Sequence, residues 1–433
     1  MSVGEGAVVR AVEERTLSCP ECRATVRVDD RFSVWCQDCD WNVDPQPPEE
    51  DDDRLERVRR AMARRHGERL YAEIAAGGSL RAHRDRASIP ALALALAVHA
   101  VTLALLLGGL WCVIAGWGGW GIVPGALLLL LAWVLRPRSP RPRGADPELL
   151  RADAPELYAL VDDVARVVGT RSVDRIVVTT EVNASVRVHG VRGRRWLALG
   201  LPLWEILTPQ QRVALLGHEL AHYSNGDTRH GVVVGTAYRS LATWHYVFLP
   251  ITDPAAAEML ANVLFTVPRL ALRGLLELLD HLTLRAAQRA EYLADREAAR
   301  AGSTEAAVGL MDRLLVAESV TVALRREANR AALTGPRGAR AADAHAVGIW
   351  ERLRTDIAAI PESEYERQRR VGARRGHSVD SAHPPTHLRR ACLLLGPAAD
   401  AVVTLDEDRA RRVESELAPV RTTVARTVVR DGC

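Results

Sequence analysis

Residues 216–227 read LGHELAHYSNGD and contain the pattern HExxH, in which His218 and His222 are one helical turn apart. On a helix both imidazoles lie on the same face and can bind one metal ion. Glu219 is beside them, within reach of a metal-bound water, where a zinc peptidase needs its general base. A surface helix with two histidines and a solvated glutamate is the alternative. The pattern predicts a metal-dependent hydrolase centred on these three residues.

The residues before the motif indicate that it lies on a helix. Thr208 followed by Pro209 is typical of an N-cap and a first helical position. Apolar residues then recur at roughly helical spacing, at Val213, Leu216 and Leu220. An apolar environment would exclude water from the site and strengthen its electrostatic interactions.

A catalytic zinc site needs a third protein ligand, because its fourth position is left for water. One arrangement takes that ligand from a histidine six residues after the HExxH pattern, but this chain has Thr228 there. Residues 284–302, LRAAQRAEYLADREAARAG, predict a later helix rich in strong helix formers. On that helix Glu291 and Asp295 share a face, so Glu291 could bind the metal while Asp295 orients a histidine. An exposed face of alternating charges is the alternative.

Three segments together resemble one family of enzymes. The segments GHELAHYSNGD, EYLAD and SAHPPTHLRR, in this order, are similar to those of the HtpX-like and CAAX prenyl endopeptidase-like membrane zinc metallopeptidases, a branch of the gluzincins. The resemblance covers roughly residues 154–395 and implies a gluzincin-like peptidase domain with a small edge sheet. The residues to which it assigns roles are the zinc ligands His218, His222 and Glu291, the base Glu219, and the supporting residues Asp227 and Asp295.

The same resemblance extends the site on both sides of the metal motifs. His383 and Arg389 match the family's late HP…R element, where they could stabilise the oxyanion of a tetrahedral intermediate. An ordinary loop histidine is the alternative for His383. Asn183, Ala184 and Ser185 match the family's edge strand, beside which a substrate would lie as an added strand. Family members usually carry an aromatic residue and a glycine after Asn-Ala, whereas this chain has serine and valine.

Four cysteines near the N-terminus predict a zinc ribbon. Their spacing, CxxC-x13-CxxC, is close to that of four-cysteine structural zinc sites, and the segment between the pairs alternates like a β-hairpin. Disulfides are not expected in a segment assigned to the cytoplasm. The ribbon could bind a partner protein, contact nucleic acid or serve as a folded cap. Its proposed ligands are Cys19, Cys22, Cys36 and Cys39.

The charge balance argues against nucleic acid as a partner. The chain has 57 basic and 54 acidic residues, a net charge of +3, and an acidic run at 49–53 follows the ribbon. At 433 residues it is long enough for two to three structural units. Its first eighty residues are polar and charged, so we expect no secretory signal there.

Two uncharged apolar runs, 89–107 and 111–135, predict a transmembrane hairpin linked near Gly108 and Gly109. A buried helical hairpin of a soluble protein is the alternative. Arginines flank both outer ends, so the positive-inside rule puts the ribbon and the peptidase region in the cytoplasm. These arginines are Arg81, Arg84, Arg86, Arg136, Arg138, Arg141 and Arg143.

A weaker second hairpin is predicted within residues 231–284, which are apolar but contain several charged side chains. Soluble helices that pack over the site are the alternative.

Taken together, these patterns predict an α+β, mostly α fold with six parts. They are a zinc ribbon at 1–44, an acidic linker and Arg-rich helix at 45–88, the hairpin at 89–135, a basic Pro-rich linker at 136–153, the peptidase domain at 154–400 and a tail at 401–433.

We therefore expect a membrane-integral zinc endopeptidase of the plasma membrane, multi-pass, with a cytoplasmic active site. It would hold one catalytic Zn²⁺ and one structural Zn²⁺ in the ribbon, with protein or peptide substrates and the lipid bilayer as partners. The family resemblance implies misfolded or damaged membrane proteins as substrates. The alternative is a catalytically silent scaffold or signalling adaptor whose ribbon recruits a partner, although such a protein has no need of Glu219.

Overall fold

The computed structural model describes residues 15–45, 54–78, 88–116, 119–136, 146–189, 193–224, 228–334, 346–375 and 383–431. Over these ranges the protein is mostly helical, with two small β-sheets and a cluster of four cysteines near the N-terminus. The predicted α+β, mostly α class is therefore confirmed. Asp227, one of the predicted supporting residues, lies outside the described residues.

The N-terminal part contains an antiparallel two-stranded sheet and three helices. These elements are β1 (Arg15–Ser18), β2 (Thr25–Val28), α1 (Arg54–Ala75), α2 (Ser88–Ala115) and α3 (Ile122–Leu135). The Arg-rich helix predicted within 45–88 corresponds to α1.

The turn between α2 and α3 is not where the sequence analysis placed it. Gly108 and Gly109 lie inside α2, and the chain reverses between Gly116 and Gly121. Gly109 instead lets α2 pack closely against α3, because a Cβ there would lie 2.8 Å from Cγ of Leu129 in α3. At the reversal, a Cβ on Gly116 would lie 2.5 Å from the Cα of Gly121. Gly109 thus allows α2 and α3 to approach closely, whereas Gly116 and Gly121 come together where the chain turns.

The peptidase region begins with a four-stranded sheet and a covering helix. These elements are β3 (Glu148–Leu149), α4 (Pro155–Val168), β4 (Arg175–Thr179), β5 (Ala184–His189) and β6 (Arg194–Gly200). The strand order is β3-β4-β6-β5, with β4 and β6 parallel and the other neighbours antiparallel. The predicted edge strand around Ala184 and Ser185 corresponds to β5, which lies at one end of the strand order.

Helices make up the rest of the peptidase region. The first five are α5 (Leu201–Ile206), α6 (Pro209–Ser224), α7 (Thr228–Val247), α8 (Ala256–Leu264) and α9 (Thr266–Gly302). The later ones are α10 (Thr304–Leu315), α11 (Ala317–Thr334), α12 (Ile349–Ala358), α13 (Glu362–Arg375), α14 (Thr386–Leu393) and α15 (Glu407–Asp431). The HExxH residues lie on α6, and Glu291 and Asp295 lie on α9, so both metal motifs are helical.

α6 and the C-terminal part of α9 pack unusually close to each other. A Cβ on Gly217 would lie 3.0 Å from the Cα of Ala298, and a Cβ on Gly302 would lie 2.7 Å from the backbone nitrogen of Ala214. A side chain at either glycine would push the helices apart. The two glycines therefore set the short distance between the two metal motifs.

The segment after residue 400 belongs to the core and is not a separate tail. On α15 the side chains of Val413, Leu417 and Val428 are 0%, 1% and 0% exposed and pack in the main hydrophobic core. The carboxylate of Glu416 accepts hydrogen bonds of 2.8 and 2.9 Å from the first backbone N–H groups of α4. This contact satisfies donors that a helix start leaves free. The predicted boundary at residue 400 thus falls inside one structural unit.

A second apolar cluster forms away from the main core, between α2, α7 and α9. Its buried residues are Ala91, Ala95, Val98, Ala237, Leu241, Trp244 and Leu279. Among the described residues, α2 is the helix long and apolar enough to cross a membrane, and only 17% of its most apolar stretch is buried. α3 has 14 residues and is shorter than a full span. α8 and α9, bent by 43°, would form a second span if they act as one.

We predict that Leu417→Ala will lower the free energy of unfolding by about 2–5 kcal/mol, because it removes a buried side chain between α15 and the core. Thr422→Ala, on the exposed face of the same helix, should change that free energy by at most about 0.5 kcal/mol. Denaturant unfolding in detergent, followed by near-ultraviolet circular dichroism, measures both. Equal effects of the two substitutions would contradict the assignment of α15 to the core.

Candidate active site

α6 places the two histidines of the HExxH pattern side by side. The ring centroids of His218 and His222 are 4.9 Å apart with the rings perpendicular, and their Nε2 atoms are 3.4 Å apart. His218 is buried, whereas the side chain of His222 is 27% exposed. The two imidazoles therefore converge on one point that is open on the His222 side.

α9 brings Glu291 to the same point from the neighbouring helix. Its Oε2 atom lies 3.4 Å from Nε2 of His218, and its Oε1 atom lies 3.6 Å from Nε2 of His222. A tetrahedral zinc ion with ligand distances of about 2.0–2.2 Å keeps its ligand atoms about 3.3–3.6 Å apart. The three side chains thus have the spacing of a zinc ligand set.

The buried charges around these side chains also fit a divalent cation. Glu219, Glu291 and Asp295 are 7%, 7% and 2% exposed, and Arg389 beside them is 1% exposed. With neutral histidines, three carboxylates and one guanidinium leave two negative charges in a site where unpaired charge is costly. Within the described residues, Oε2 of Glu291 is buried without a hydrogen bond, as expected of an atom that binds an ion.

His383 reaches the cluster from the segment just before α14. Its Nε2 atom lies 3.3 Å from Oε2 of Glu291, and its side chain is 22% exposed. The ligand atoms of His218, Glu291 and His383 all lie within 4.8 Å of one another. His383 is therefore at the site, in a position from which it can contact either a metal ion or a substrate.

Arg389, for which the family resemblance implies a role at the oxyanion, is buried beside His218 and Asp295. Its Nε and Nη2 atoms donate hydrogen bonds of 2.8 and 2.6 Å to the carboxylate of Asp295. Oδ1 of Asp295 in turn lies 3.0 Å from Nδ1 of His218. A carboxylate on Nδ1 fixes the imidazole so that Nε2 faces the metal. The guanidinium of Arg389 is fully buried, and its contacts are with the carboxylate that faces Nδ1 of His218 and with Glu291, whose Oε2 lies 3.6 Å from Nη2.

In the metal-free site, the excess of buried negative charge changes the pKa values of the titratable side chains. Burial alone would lower the pKa of His218, but the nearby carboxylates of Asp295 and Glu291 raise it to about 10. Burial raises the pKa of Glu219 to about 7 and lowers the pKa of His222 to about 4. Protons on His218 and Glu219 thus compensate for part of the charge that a metal would supply.

The predicted substrate strand starts at the edge of the sheet, close to the end of β6. Ala184 opens β5, Ser185 follows it, and Asn183 precedes it. Oδ1 of Asn183 accepts a hydrogen bond of 2.9 Å from the backbone N–H of Ala184, and its carbonyl accepts one of 2.9 Å from Gly200. A Cβ on Gly200 would collide with the carbonyl oxygen of Asn183, so glycine is needed where the two strands meet.

Tyr223 is a residue of this region that the sequence analysis missed. It follows His222 on α6, and its hydroxyl lies 2.9 Å from the carbonyl oxygen of Arg187 in β5 and 3.0 Å from that of Trp196 in β6. The side chain thus fixes the edge strand relative to the metal-binding helix. A tyrosine directly after HExxH was visible in the sequence, but its partners are 27 and 36 residues away and follow no local pattern.

The four N-terminal cysteines form a second candidate metal centre. The Sγ atoms of Cys19 and Cys39 are 3.6 Å apart, those of Cys22 and Cys36 are 3.5 Å apart, and all four lie within 4.8 Å of one another. Tetrahedral zinc with Zn–S bonds of about 2.3 Å separates its sulfur atoms by about 3.8 Å. The thiols are free and not joined as disulfides. The donor set fits a structural zinc ion.

Comparison with known proteins identifies the family. Residues 151–394, more than half of the 433-residue chain, match peptidase family M48. The chain belongs to peptidase family M48. Its M48 segment agrees closely with the span of roughly 154–395 over which the sequence resembles the HtpX-like enzymes.

A curated relative supports the same type within the family. Over 81 residues the M48 chain is 32% identical to Protease HtpX homolog 1 of Sulfurisphaera tokodaii. That stretch covers 18% of this chain and 25% of the relative, so the similarity spans about a quarter of the relative's length. No solved structure is significantly similar to the chain. The predicted membership of the HtpX-like M48 metallopeptidases is confirmed.

We predict that Asp295→Asn will weaken zinc binding at the M48 site by about 10–100-fold, because a neutral amide accepts more weakly from Nδ1–H of His218 and leaves Arg389 without its carboxylate. Competition with a chelator of known affinity measures the change. Glu297→Gln, the same loss of charge two residues further along α9, is the matched control and should keep the wild-type affinity. Wild-type affinity in both variants would show that Asp295 does not orient His218.

Proposed function

We propose that this M48 peptidase is a membrane-integral zinc endopeptidase that cleaves membrane or misfolded proteins on the cytoplasmic side. The observation that carries the proposal is the convergence of His218, His222 and Glu291 at zinc-ligand spacing beside the buried Glu219. Membership of an M48 family supports peptide-bond hydrolysis, and the ligand spacing supports zinc as the metal.

The chain's own residues divide the chemistry between them. A zinc ion held by the three ligands would supply a Lewis acid that polarises the scissile carbonyl and acidifies water. Glu219 takes the proton of the attacking water and later passes it to the leaving amine. Glu219 is buried next to the metal ligands, so its carboxylate is held close to the attacking water and to the leaving amine.

His383 and β5 position the substrate around this centre. The partly exposed imidazole of His383 is the candidate donor to the carbonyl oxygen that gains negative charge, since Arg389 is buried behind the ligands. The free edge of β5, beginning at Ala184, offers backbone hydrogen bonds to an extended peptide. Pairing through the backbone requires no particular substrate sequence, which suits unfolded proteins as substrates.

The membrane part of the proposal is supported by the surface of α2 and α3. Trp111, Trp120 and Trp133 are 72%, 94% and 63% exposed, and the guanidinium of Arg136 lies 3.4 Å from the ring centroid of Trp133. This much exposed apolar surface indicates that α2 and α3 lie in a bilayer and not in the core of a soluble protein. Tryptophan and arginine side chains together are typical of the membrane–water interface. Arginines on both outer flanks support a cytoplasmic position for the ribbon and the peptidase site.

The membrane hairpin and the peptidase core divide the chain into its proposed structural units. We assign a zinc ribbon to 1–44, a linker and the Arg-rich helix to 45–88, a membrane hairpin to 89–135 and a Pro-rich linker to 136–153. The peptidase unit begins near 154 and extends through α15, because α15 completes its core.

The alternative is a catalytically silent scaffold or signalling adaptor that uses the ribbon to recruit a partner. Such a protein would gain nothing from a desolvated carboxylate next to a metal site, since burial of Glu219 costs free energy. The buried Glu219 therefore favours the enzyme.

We predict that the detergent-purified chain cleaves an unfolded test protein and that Glu219→Gln lowers the rate by at least about 100-fold, because the base is lost. The variant should keep the zinc of the peptidase site in metal analysis. A chelator should also abolish cleavage, whereas Glu305→Gln, at an exposed position of α10, should leave it unchanged. An inert wild type with zinc at both sites would favour the scaffold.

We also predict the topology of the hairpin. A periplasmic-type alkaline phosphatase fused after Gly116, at the turn between α2 and α3, should be active, because that point lies across the membrane. The same reporter fused after Arg136 should be inactive, because that point returns to the cytoplasm. Equal activity of the two fusions would contradict a membrane-crossing hairpin.

A further inference from the structure

The zinc ribbon docks on α13 through a set of charged contacts. Asp40 accepts hydrogen bonds from Arg370 at 2.7 Å and from Arg374 at 2.8 Å. Arg370 also donates to the carbonyl oxygen of Gln37 at 2.6 Å and stacks on the ring of Trp35, with its guanidinium 5.0 Å from the ring centroid. The ribbon is therefore held by the second half of α13, and it is held next to its own metal ligands Cys36 and Cys39.

Further contacts lie on both sides of this central group. Arg367 donates to the carbonyl oxygen of Val43 at 3.0 Å, and Val43 is fully buried. Arg375 pairs with Asp44, and Arg31 donates to the carbonyl oxygen of Ala359 at 2.8 Å. The ribbon thus contacts the chain from the end of α12 to the end of α13, which is a broad surface for a unit of its size.

The docked helix is in turn fastened to α14, which carries Arg389. Asp312 on α10 accepts two hydrogen bonds of 3.0 Å from Arg369 on α13 and one of 2.9 Å from Arg390 on α14. One carboxylate thus joins the two helices that precede and follow His383 in the chain. The residue before Arg390, Arg389, makes the contact with Asp295, whose carboxylate faces Nδ1 of His218.

α1 adds a second connection between the same parts. Arg64 donates to the carbonyl oxygen of Arg374 at 2.7 Å, at the end of α13. Three residues later, a Cβ on Gly67 would lie 3.0 Å from Cδ of Pro385, next to His383 and Pro384. Tyr292, the neighbour of Glu291, contacts the carbonyl oxygen of Gly67 at 3.4 Å. The ribbon, α1, α13 and α14 therefore form one continuous wall on the buried side of the M48 site.

The ribbon depends on its metal to keep this position. Its separate core consists of Cys19, Val26 and Cys36, with few further apolar side chains. A unit of this size cannot fold on buried apolar surface alone, so the free energy of metal binding becomes its folding free energy. Loss of the metal would therefore release Asp40, Asp44 and the carbonyl groups that hold α13.

We propose that the four-cysteine zinc site is a structural brace of the peptidase centre. The metal-loaded ribbon holds α13, and α13 holds α14 through Asp312, so that Arg389 and His383 keep the positions that catalysis needs. This assigns the ribbon a partner within its own chain. The inference rests on the proposed peptidase function for its catalytic consequence but not for the docking itself.

The first test removes the ribbon metal from the full-length chain in detergent with the double substitution Cys36→Ser and Cys39→Ser. Metal analysis should then find one zinc per chain in place of two. Hydrogen exchange should become faster in α13 and α14, and kcat should fall about tenfold or more, because small displacements of catalytic groups are costly. Cys112→Ser, outside the ribbon, is the control and should behave as wild type.

The second test undocks the ribbon without touching its ligands. Asp40→Arg places like charges against Arg370 and Arg374, so it should retain two zinc ions and reproduce the faster exchange and the lower kcat. Adding Arg374→Asp places opposite charges at the contact again. The double variant should therefore recover part of the slow hydrogen exchange and part of kcat. Asp38→Arg, the same change at an exposed position two residues away, is the control.

The outcomes separate this inference from the proposed function. Faster exchange in α13 and α14 together with wild-type cleavage would overturn the brace, while the peptidase function would stand. Unchanged exchange in both helices after loss of the ribbon metal would also overturn it, whatever the activity. If the wild type cleaves nothing, the peptidase function fails, and the exchange data alone still decide whether the metal holds α13 and α14.

Discussion

α6 and α9 approach so closely at Gly217 and Gly302 that a methyl group at either position would separate them. Helix pairs with ordinary side chains at their contact have axes about 8–10 Å apart, and the short imidazole and carboxylate side chains span a limited distance. Metal ligation tolerates errors of only about 0.2 Å in its bond lengths. The two glycines therefore determine whether His218, His222 and Glu291 can share one ion.

Much of the metal site could be predicted because its signals are local. The spacing of His218 and His222 has a fixed meaning on a helix, and Glu291 and Asp295 repeat that spacing on a second helix. The cysteine spacing is equally local, since each CxxC pair closes its own turn, with the N–H of Arg23 bonded to the carbonyl of Cys19 at 2.9 Å. Strand and helix positions in the peptidase region followed from hydrophobic periodicity for the same reason.

The remaining features depend on contacts between distant parts of the chain. The sequence offers two glycine pairs in the hairpin, and only the structure shows that Gly109 packs against Leu129 while Gly116 and Gly121 form the turn. The arginines of α13 look like a solvated face, yet Arg370 and Arg374 bind the ribbon more than 300 residues away. The charged residues of α15 likewise conceal its apolar stripe. A pattern of charged residues alone does not show whether a helix face contacts water or another part of the protein.

The cap that Glu416 provides for α4 has a consequence for the order in which the protein matures. α15 is synthesised after every other described element, so α4 and the sheet beneath it lack their cover while the earlier helices are already made. α2 leaves the ribosome more than 300 residues before α15 and can reach the bilayer first. With the membrane anchor proposed above, a nascent chain would be anchored well before α4 is capped and the core around the HExxH helix is complete.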